Sequence, residues 1–213
     1  MKLGEIKLEA LRLMFASYNE ELTVEQLSAL THSQEYGQYL IAMPGSINRC
    51  FADLELRGVL PLKSAALARE AAEEVCGMLR WELPRVLADY LAPVCLICEW
   101  EGGSFTETEL AQYREGDILR LPIFDPERKG YRLVYRPRLP RILSYTDDTV
   151  ELPIPDRIAA FIPYWIKGEL FREDEPGEAG EARNWYEVAM DRAVAFAADR
   201  RGSVRSVYSM TEV

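Results

Sequence analysis

The chain has 213 residues, 48% of them hydrophobic, enough for one large domain or two small ones without help from disulfides or metals. Its net charge of −10 repels a phosphate backbone and disfavours broad nucleic-acid binding. No apolar run approaches the roughly 18 residues of a membrane span, and the charges are interspersed in a way that excludes global disorder.

Residues 2–17 carry Leu8, Leu11, Met14 and Phe15 at helical spacing, so an amphipathic helix is expected. Glu5 and Glu9 interrupt it and argue against a signal peptide. Without one, the four cysteines, Cys50, Cys76, Cys95 and Cys98, are expected as reduced thiols in a bacterial-type cytoplasm. Thr23 followed by Gln26 is a capping-box pattern, and it opens a short helix over 24–30. Ser33 caps a third helix bearing Tyr36, Tyr39, Leu40 and Met43, which Pro44-Gly45 should interrupt. Ser46 restarts the pattern through Ile47, Cys50, Phe51 and Leu54, and Gly58 ends it.

Residues 62–92 read two ways. SAALAREAAEEVC favours helix by propensity, whereas Gly77 and the alternation in MLRWEL suit a strand. From Val94 the pattern is β: VCLICEW, a Gly102-Gly103 turn, SFTETEL, a Gly116-Asp117 turn, ILRLPIF, the turn DPERKG and YRLVYRP. ILSYT is expected to continue the sheet, with a turn at Asp147-Asp148 leading into VELPI. Pro153 and Pro155 then stiffen the approach to a helix over 157–172, with Asp156 at its mouth. Pro163 should kink that helix and free the carbonyl of Ala159. A last helix over 178–200 places Ala182, Tyr186, Ala189, Ala193 and Phe196 on one face, and Gly202 should stop it.

The expected fold class is α+β, a helical domain built from both chain ends with an inserted antiparallel β-sandwich or barrel-like domain. The helical domain would comprise 1–58 and 152–201, the β-rich domain 59–151, and a flexible tail 202–213.

Motifs for chemistry are scarce. Cys95-Leu-Ile-Cys98 lacks the second ligand pair that zinc requires, and positions 95 and 98 of a strand face opposite sides. His32 has no recognisable nucleophile partner. Glu99, Glu101, Asp147, Asp148 and Glu151 could supply a carboxylate pair for glycoside hydrolysis, but such acids are common on any acidic surface. The acidic link Glu173-Asp174-Glu175 lacks the alternating oxygen ligands and central glycine of a calcium loop. No lipase-type serine motif, zinc-protease motif, phosphate loop or dinucleotide glycine pattern occurs, so no catalytic, metal-binding or cofactor-binding residue is assigned.

Tyr164, Trp165, Trp185, Tyr186 and Ala189, with Arg136 and Arg138, are the candidate interface residues, because aromatics and arginine are favoured at assembly contacts. The plainer reading makes the aromatics packing residues between the two C-terminal helices and the arginines a solvated strand edge.

The strand YRLVYRP, the turn Thr146-Asp147-Asp148, the segment ELPIPD, IPYWIKGELFREDEP and ARNWYEVAM follow one another in order. This combination resembles head–tail adaptor and tail tubular proteins of tailed bacteriophages and prophages. Upstream, PGSINRCFADLELRGVLP at 44–61 is similar to the helix preceding the β-domain in such prophage structural proteins. The resemblance implies a helical base carrying a β-domain, assembled as a homo-oligomeric ring, a dodecamer being one arrangement. The implied partners are the portal and other neck and tail proteins, with packaged DNA passing the lumen without specific binding and no membrane. The implied location is the virion, with assembly in the host bacterial cytoplasm. Two other classes stay open: a small cytoplasmic carbohydrate-active hydrolase using the β-domain carboxylates, and a cytoplasmic ligand-binding module.

Overall fold

Leu3, Ile6, Ala10 and Met14 recur at three- and four-residue spacing, and helix α1, Leu3–Met14, buries all four. The first free amides of α1 are taken from across the chain: Leu3 N donates to Val150 O at 2.9 Å and Gly4 N to Asp148 O at 2.9 Å. This computed structural model describes residues 1–15, 22–100, 104–108, 110–123 and 128–209, and the side chains among them except those at 112, 128, 129 and 199–209. Within these limits the fold class is α+β, and the chain divides into two units: Met1–Leu60 with Arg141–Val213, and Pro61–Pro140.

In the helical unit, Thr23 N donates to Gln26 Oε1 at 2.9 Å and opens a 3₁₀ turn, Val24–Gln26, that runs into α2, Leu27–Leu30. Helix α3, Gly37–Arg57, passes through Pro44 without a break, which corrects the expected interruption. Proline removes one amide and frees the carbonyl of Leu40. The apolar stripe Leu40, Met43, Ile47, Cys50 and Leu54 stays in phase on both sides, and its burial holds the helix together. Gly58 ends it in the left-handed region at φ 64°, with its N–H on Leu54 O.

The C-terminal helices depart from expectation in two places. The helix expected over 157–172 is two helices, α5, Asp156–Ala159, and α6, Ile162–Leu170. Pro163 falls in the first turn of α6, where the missing N–H costs no helical bond, so it starts a helix rather than kinking one. Helix α7 spans Pro176–Ser209 and continues past Gly202, so 202–209 is helical rather than tail; 210–213 lie outside the described residues. Glycine weakens a helix by only about 1 kcal/mol relative to alanine, which does not by itself end one. Helix α6 packs against α1, α3 and α7.

Residues 141–151, expected in the β-rich part, belong with the helices. ILSYT is not a strand, and VELPI supplies only an isolated bridge, Lys2 to Glu151. A side chain distant in sequence takes over the sheet's role: Asn48 Oδ1 accepts from Ile142 N at 2.8 Å, and Asn48 Nδ2 donates to Ile142 O at 2.7 Å.

Among the described residues, the second unit has eight strands in two open, four-stranded antiparallel sheets. The first has the order β1, Lys63–Ala66; β8, Arg128–Pro137; β4, Tyr90–Trp100; β5, Phe105–Thr108. The second has the order β2, Glu73–Val75; β3, Met78–Glu82; β7, Ile118–Pro122; β6, Arg114–Glu115. A four-residue helix α4, Leu83–Val86, follows β3. Period-two alternation sends Leu79 and Trp81 of β3, Leu119 and Leu121 of β7, and Leu96, Leu133 and Tyr135 of the other sheet into one core. The result is sandwich-like, and neither sheet closes as a barrel.

The open question at 62–92 resolves as β. Arg69–Ala71 is a 3₁₀ turn between two strands, and burial of Leu67 and the Trp81 Nε1 bond to Ala68 O at 2.9 Å outweigh the helical propensity of the alanines. Cys76 (φ 50°) and Gly77 (φ 75°) are both left-handed between the paired Val75 and Met78, a tight type I′ hairpin. Gly116, at φ 60°, opens the expected turn with Asp117. The Gly102-Gly103 turn, Glu101 and residues 124–127 of the DPERKG region lie outside the described residues.

Candidate functional site

The densest polar arrangement lies where α3, α6 and α7 meet. Tyr186 of α7 is fully buried, and its hydroxyl donates to Asp53 Oδ2 at 2.7 Å. Arg57 Nε donates to the same oxygen at 2.7 Å, and Arg57 Nη2 reaches Glu187 at 2.6 Å. The Cys50 thiol stands 3.7 Å from the Tyr186 hydroxyl. On the other side, Trp165 meets Tyr186 edge to face with centroids 5.0 Å apart, and the Arg183 guanidinium covers Trp165 at 3.9 Å. Trp165 Nε1 donates to Glu169 Oε2 at 3.2 Å, Ser46 Oγ donates to that oxygen at 2.6 Å, and Arg49 pairs with the second oxygen of Glu169.

A buried cysteine, tyrosine and aspartate in contact invite a catalytic reading, and the electrostatics oppose it. Burial pushes the Cys50 thiol up to about 12, against a smaller opposing pull from the Tyr186 hydrogen bond. A thiol that stays protonated is a poor nucleophile. Burial also raises the Tyr186 phenol strongly, and the neighbouring Cys50 and Asp53 raise it further. Burial works against the charge of Arg57, but its bonds to Glu187 and Asp53 outweigh that and raise its pKa. Each polar atom named here has a protein partner, so the cluster is a clamp that fixes three helices.

The candidate interface residues divide. Tyr186 and Trp165 are buried in this clamp, and Ala189 is half-buried beside it. Tyr164 is half-buried against Phe161. Trp185 is exposed on α7. Arg136 is half-buried on β8 and Arg138 exposed just after it, its backbone N–H on Asp89 O at 2.6 Å. Tyr186 is therefore corrected from an interface residue to a core one, because its hydroxyl is satisfied inside the unit. Asp53, Arg57, Arg183 and Glu187 were not singled out by sequence, although the four-residue spacings Asp53–Arg57 and Arg183–Glu187 carry a legible signal.

Several of the remaining chemical candidates are tied up structurally. Cys98 is buried, with Sγ 3.3 Å from Thr108 Oγ1, while Cys95 is half-buried on β4. Glu99 pairs with Arg132 at 3.5 Å. Asp147 Oδ1 accepts from Thr149 N and Oγ1, each at 2.8 Å, and those bonds lower its pKa. Asp148 pairs with the buried Lys7 at 2.6 Å. Glu151 is exposed, its backbone bridged to Lys2. His32 is exposed in the turn after α2. Asp174 of the acidic link accepts from the Tyr39 hydroxyl at 2.9 Å. In the β unit, Asp89 accepts from Tyr135 at 2.9 Å and pairs with Lys63; burial opposes its charge, and these two bonds outweigh it and lower its pKa. Among the described residues, no three His, Cys, Asp or Glu side chains are grouped to hold a metal ion, and no helix is long and apolar enough to cross a membrane. The chain matches no protein-family model and no curated protein.

Proposed function

We propose that this protein is a structural component of a phage or prophage head–tail junction, assembling as a ring between portal and tail rather than catalysing a reaction. The observation that carries this reading is the second apolar face of α3. Its inner stripe is buried, and on the opposite side Ile41, Ala42, Gly45, Ala52 and Leu56 are all exposed, Ile41 at 67% and Leu56 at 84%. Gln38 and Arg49 share that outer face, Arg49 paired with Glu169, and the apolar residues beside them suit a further contact. Small residues between two large ones suit close approach of another subunit's surface.

Two further features support the reading. The polar groups that could have been catalytic are used to fix helices. The helical unit is drawn from both chain ends with the β unit inserted, the organisation that the resemblance of residues 135–190 and 44–61 implies. In a ring, each copy presents one surface to the neighbour on one side and another to the neighbour on the other, and closure follows from rotation. The net charge of −10 would let DNA pass an acidic lumen without sticking.

Deleting the gene from an inducible prophage and imaging the lysate tests the proposal. DNA-filled heads beside free tails are the expected outcome. Normal infectious particles would overturn it and shift weight to a cytoplasmic role.

A further inference from the structure

We propose that the outward face of β8 binds the phosphate backbone of a nucleic acid through a row of arginines, without reading bases. The inference goes beyond the junction reading and does not rest on it.

Residues 128–141 hold six cations and no acid, in a chain whose net charge is −10. Burial alternates along this stretch. Leu133, Tyr135, Pro137 and Leu139 are buried, whereas Arg132, Val134 and Arg136 are half-buried and Arg138 is exposed, as one outward face of a strand requires. Arg138 follows the last residue of β8, and its N–H on Asp89 O at 2.6 Å continues the ladder beyond the Tyr90–Pro137 pair. The backbone positions of Arg136 and Arg138 are therefore about 6.8 Å apart along the row, and those of Arg132 and Arg136 about 13.6 Å.

Neither of the ordinary roles of surface arginines accounts for this row. Charges protect the exposed edge of a sheet, but β8 lies inside its sheet, between β1 and β4. Ion pairing occupies other cations of the same unit: Lys63, Arg80, Arg114, Arg120 and Arg132 each meet a carboxylate. Arg136 and Arg138 form no ion pair among the described residues. The register places short side chains beside the row, Ala66 and Ser64 on β1 and Ala92 on β4. Two acids share the face: Glu99 is held by Arg132 at 3.5 Å, and Glu107 lies two strands away on β5.

The chemistry of the row selects its ligand. Guanidinium groups take phosphate oxygens in pairs. A polynucleotide offers anions at short regular steps, as the row offers cations, whereas carboxylates on a folded protein surface follow no such repeat. The row carries no aromatic side chain on which a base could stack, so the contact is to the backbone and independent of sequence. It is local, and the net charge of the chain keeps it weak and sensitive to salt.

The test is fluorescence anisotropy of a short labelled DNA duplex titrated with the full chain over a salt series. Three phosphate contacts give a slope of log affinity against log salt of about −2.7. Arg136→Gln with Arg138→Gln should shrink that slope by about 1.8 and weaken binding at low salt at least about tenfold, equally for duplexes of different sequence. Arg136→Lys with Arg138→Lys keeps the charges and should keep the slope. Arg80→Gln with Arg120→Gln makes the same change of net charge on the other sheet and should leave the slope unaltered. A wild type that binds no duplex at low salt, or binds with a slope near zero, overturns the proposal whatever the variants do. So does a folded Arg136→Gln, Arg138→Gln protein that keeps the wild-type slope, or a control pair that lowers it equally. Polyglutamate that displaces the duplex as well as unlabelled DNA of equal charge would assign the row to an acidic protein and overturn it too. Intact DNA binding by a protein whose deletion leaves particles normal would remove the junction reading and keep this contact. Freed tails after deletion of a protein that binds no DNA would do the reverse.

Discussion

The Tyr186 hydroxyl and the Asp53 carboxylate meet at 2.7 Å across the α3–α7 contact, and the same Asp53 oxygen also receives Arg57 Nε. Tyr186→Phe removes one donor and leaves the carboxylate with the other, so the expected cost is about 1–2 kcal/mol. Asp53→Ala strands both donors and should cost more, about 3 kcal/mol. Urea denaturation of both variants checks the order. Equal losses would mean that Arg57 contributes nothing through Asp53.

Three tyrosines predict alkaline instability. Burial, then the Asp117 charge, pushes Tyr90 up to about 12; burial, then the Asp89 hydrogen bond, does the same for Tyr135. Tyr186 is raised as well. The folded chain therefore holds these protons where the unfolded chain, with tyrosine pKa near ~10, has released them. Stability is unaffected below that value and falls as pH rises from about 10 toward 12. Phenolate absorbance should show a late phase that coincides with loss of helical circular dichroism. A single early phase in a fully folded protein would contradict these environments.

The glycines of the C-terminal helices give opposite predictions. A Cβ on Gly168 would meet Ala179 O at 3.2 Å and Arg183 N at 3.3 Å, so Gly168→Ala must push α6 from α7 and should cost about 1–3 kcal/mol. A Cβ on Gly180 meets nothing within 4 Å, and Gly180→Ala should stabilise the helix by up to about 1 kcal/mol. Thermal melts of the two single variants should move in opposite directions.

How much of this was legible varied with the physics of each element. The apolar spacing of α1 and α3, the left-handed stop at Gly58 and the alternation of β3 and β7 follow from local patterns that the folded chain obeys. Pro44 and Gly202 look like breaks in sequence because their local cost is real; Pro44 is overridden by burial on both sides, which a single sequence does not display. The strands at 63–75 were masked by alanines and glutamates of good helical propensity, and only packing around Leu67 and Trp81 decides them. Residues 141–151 look like sheet in sequence because their partners, Asn48, Lys7 and the α1 amides, lie far away along the chain. The clamp was half visible: Tyr186 and Trp165 stood out as aromatics, whereas their satisfied polar partners did not.

Lys7 is a further test of this kind. Its side chain is 9% exposed and pairs with Asp148 at 2.6 Å. Asp148→Ala leaves a cation in a nearly dry site and should cost about 3 kcal/mol. Lys7→Met combined with Asp148→Ala should recover much of that loss, because no charge then remains unpaired. Denaturant midpoints of the single and double variants measure the coupling, and additive losses would show that the pair is not coupled.

The pairing of Leu3 and Gly4 amides with carbonyls at 150 and 148 has a consequence for synthesis on the ribosome. Helices α1 and α3 emerge long before the residues that cover them, since α6 begins only at Ile162. The intervening unit, 61–140, has its own core and can form first, with its ends closing a loop between the waiting N-terminal helices and their late partners. Translation stalled before α6 would leave the stripe of Leu40, Met43, Ile47 and Leu54 bare. Nascent chains of that length should be bound by chaperones, and release should follow once α6 and α7 have cleared the exit tunnel.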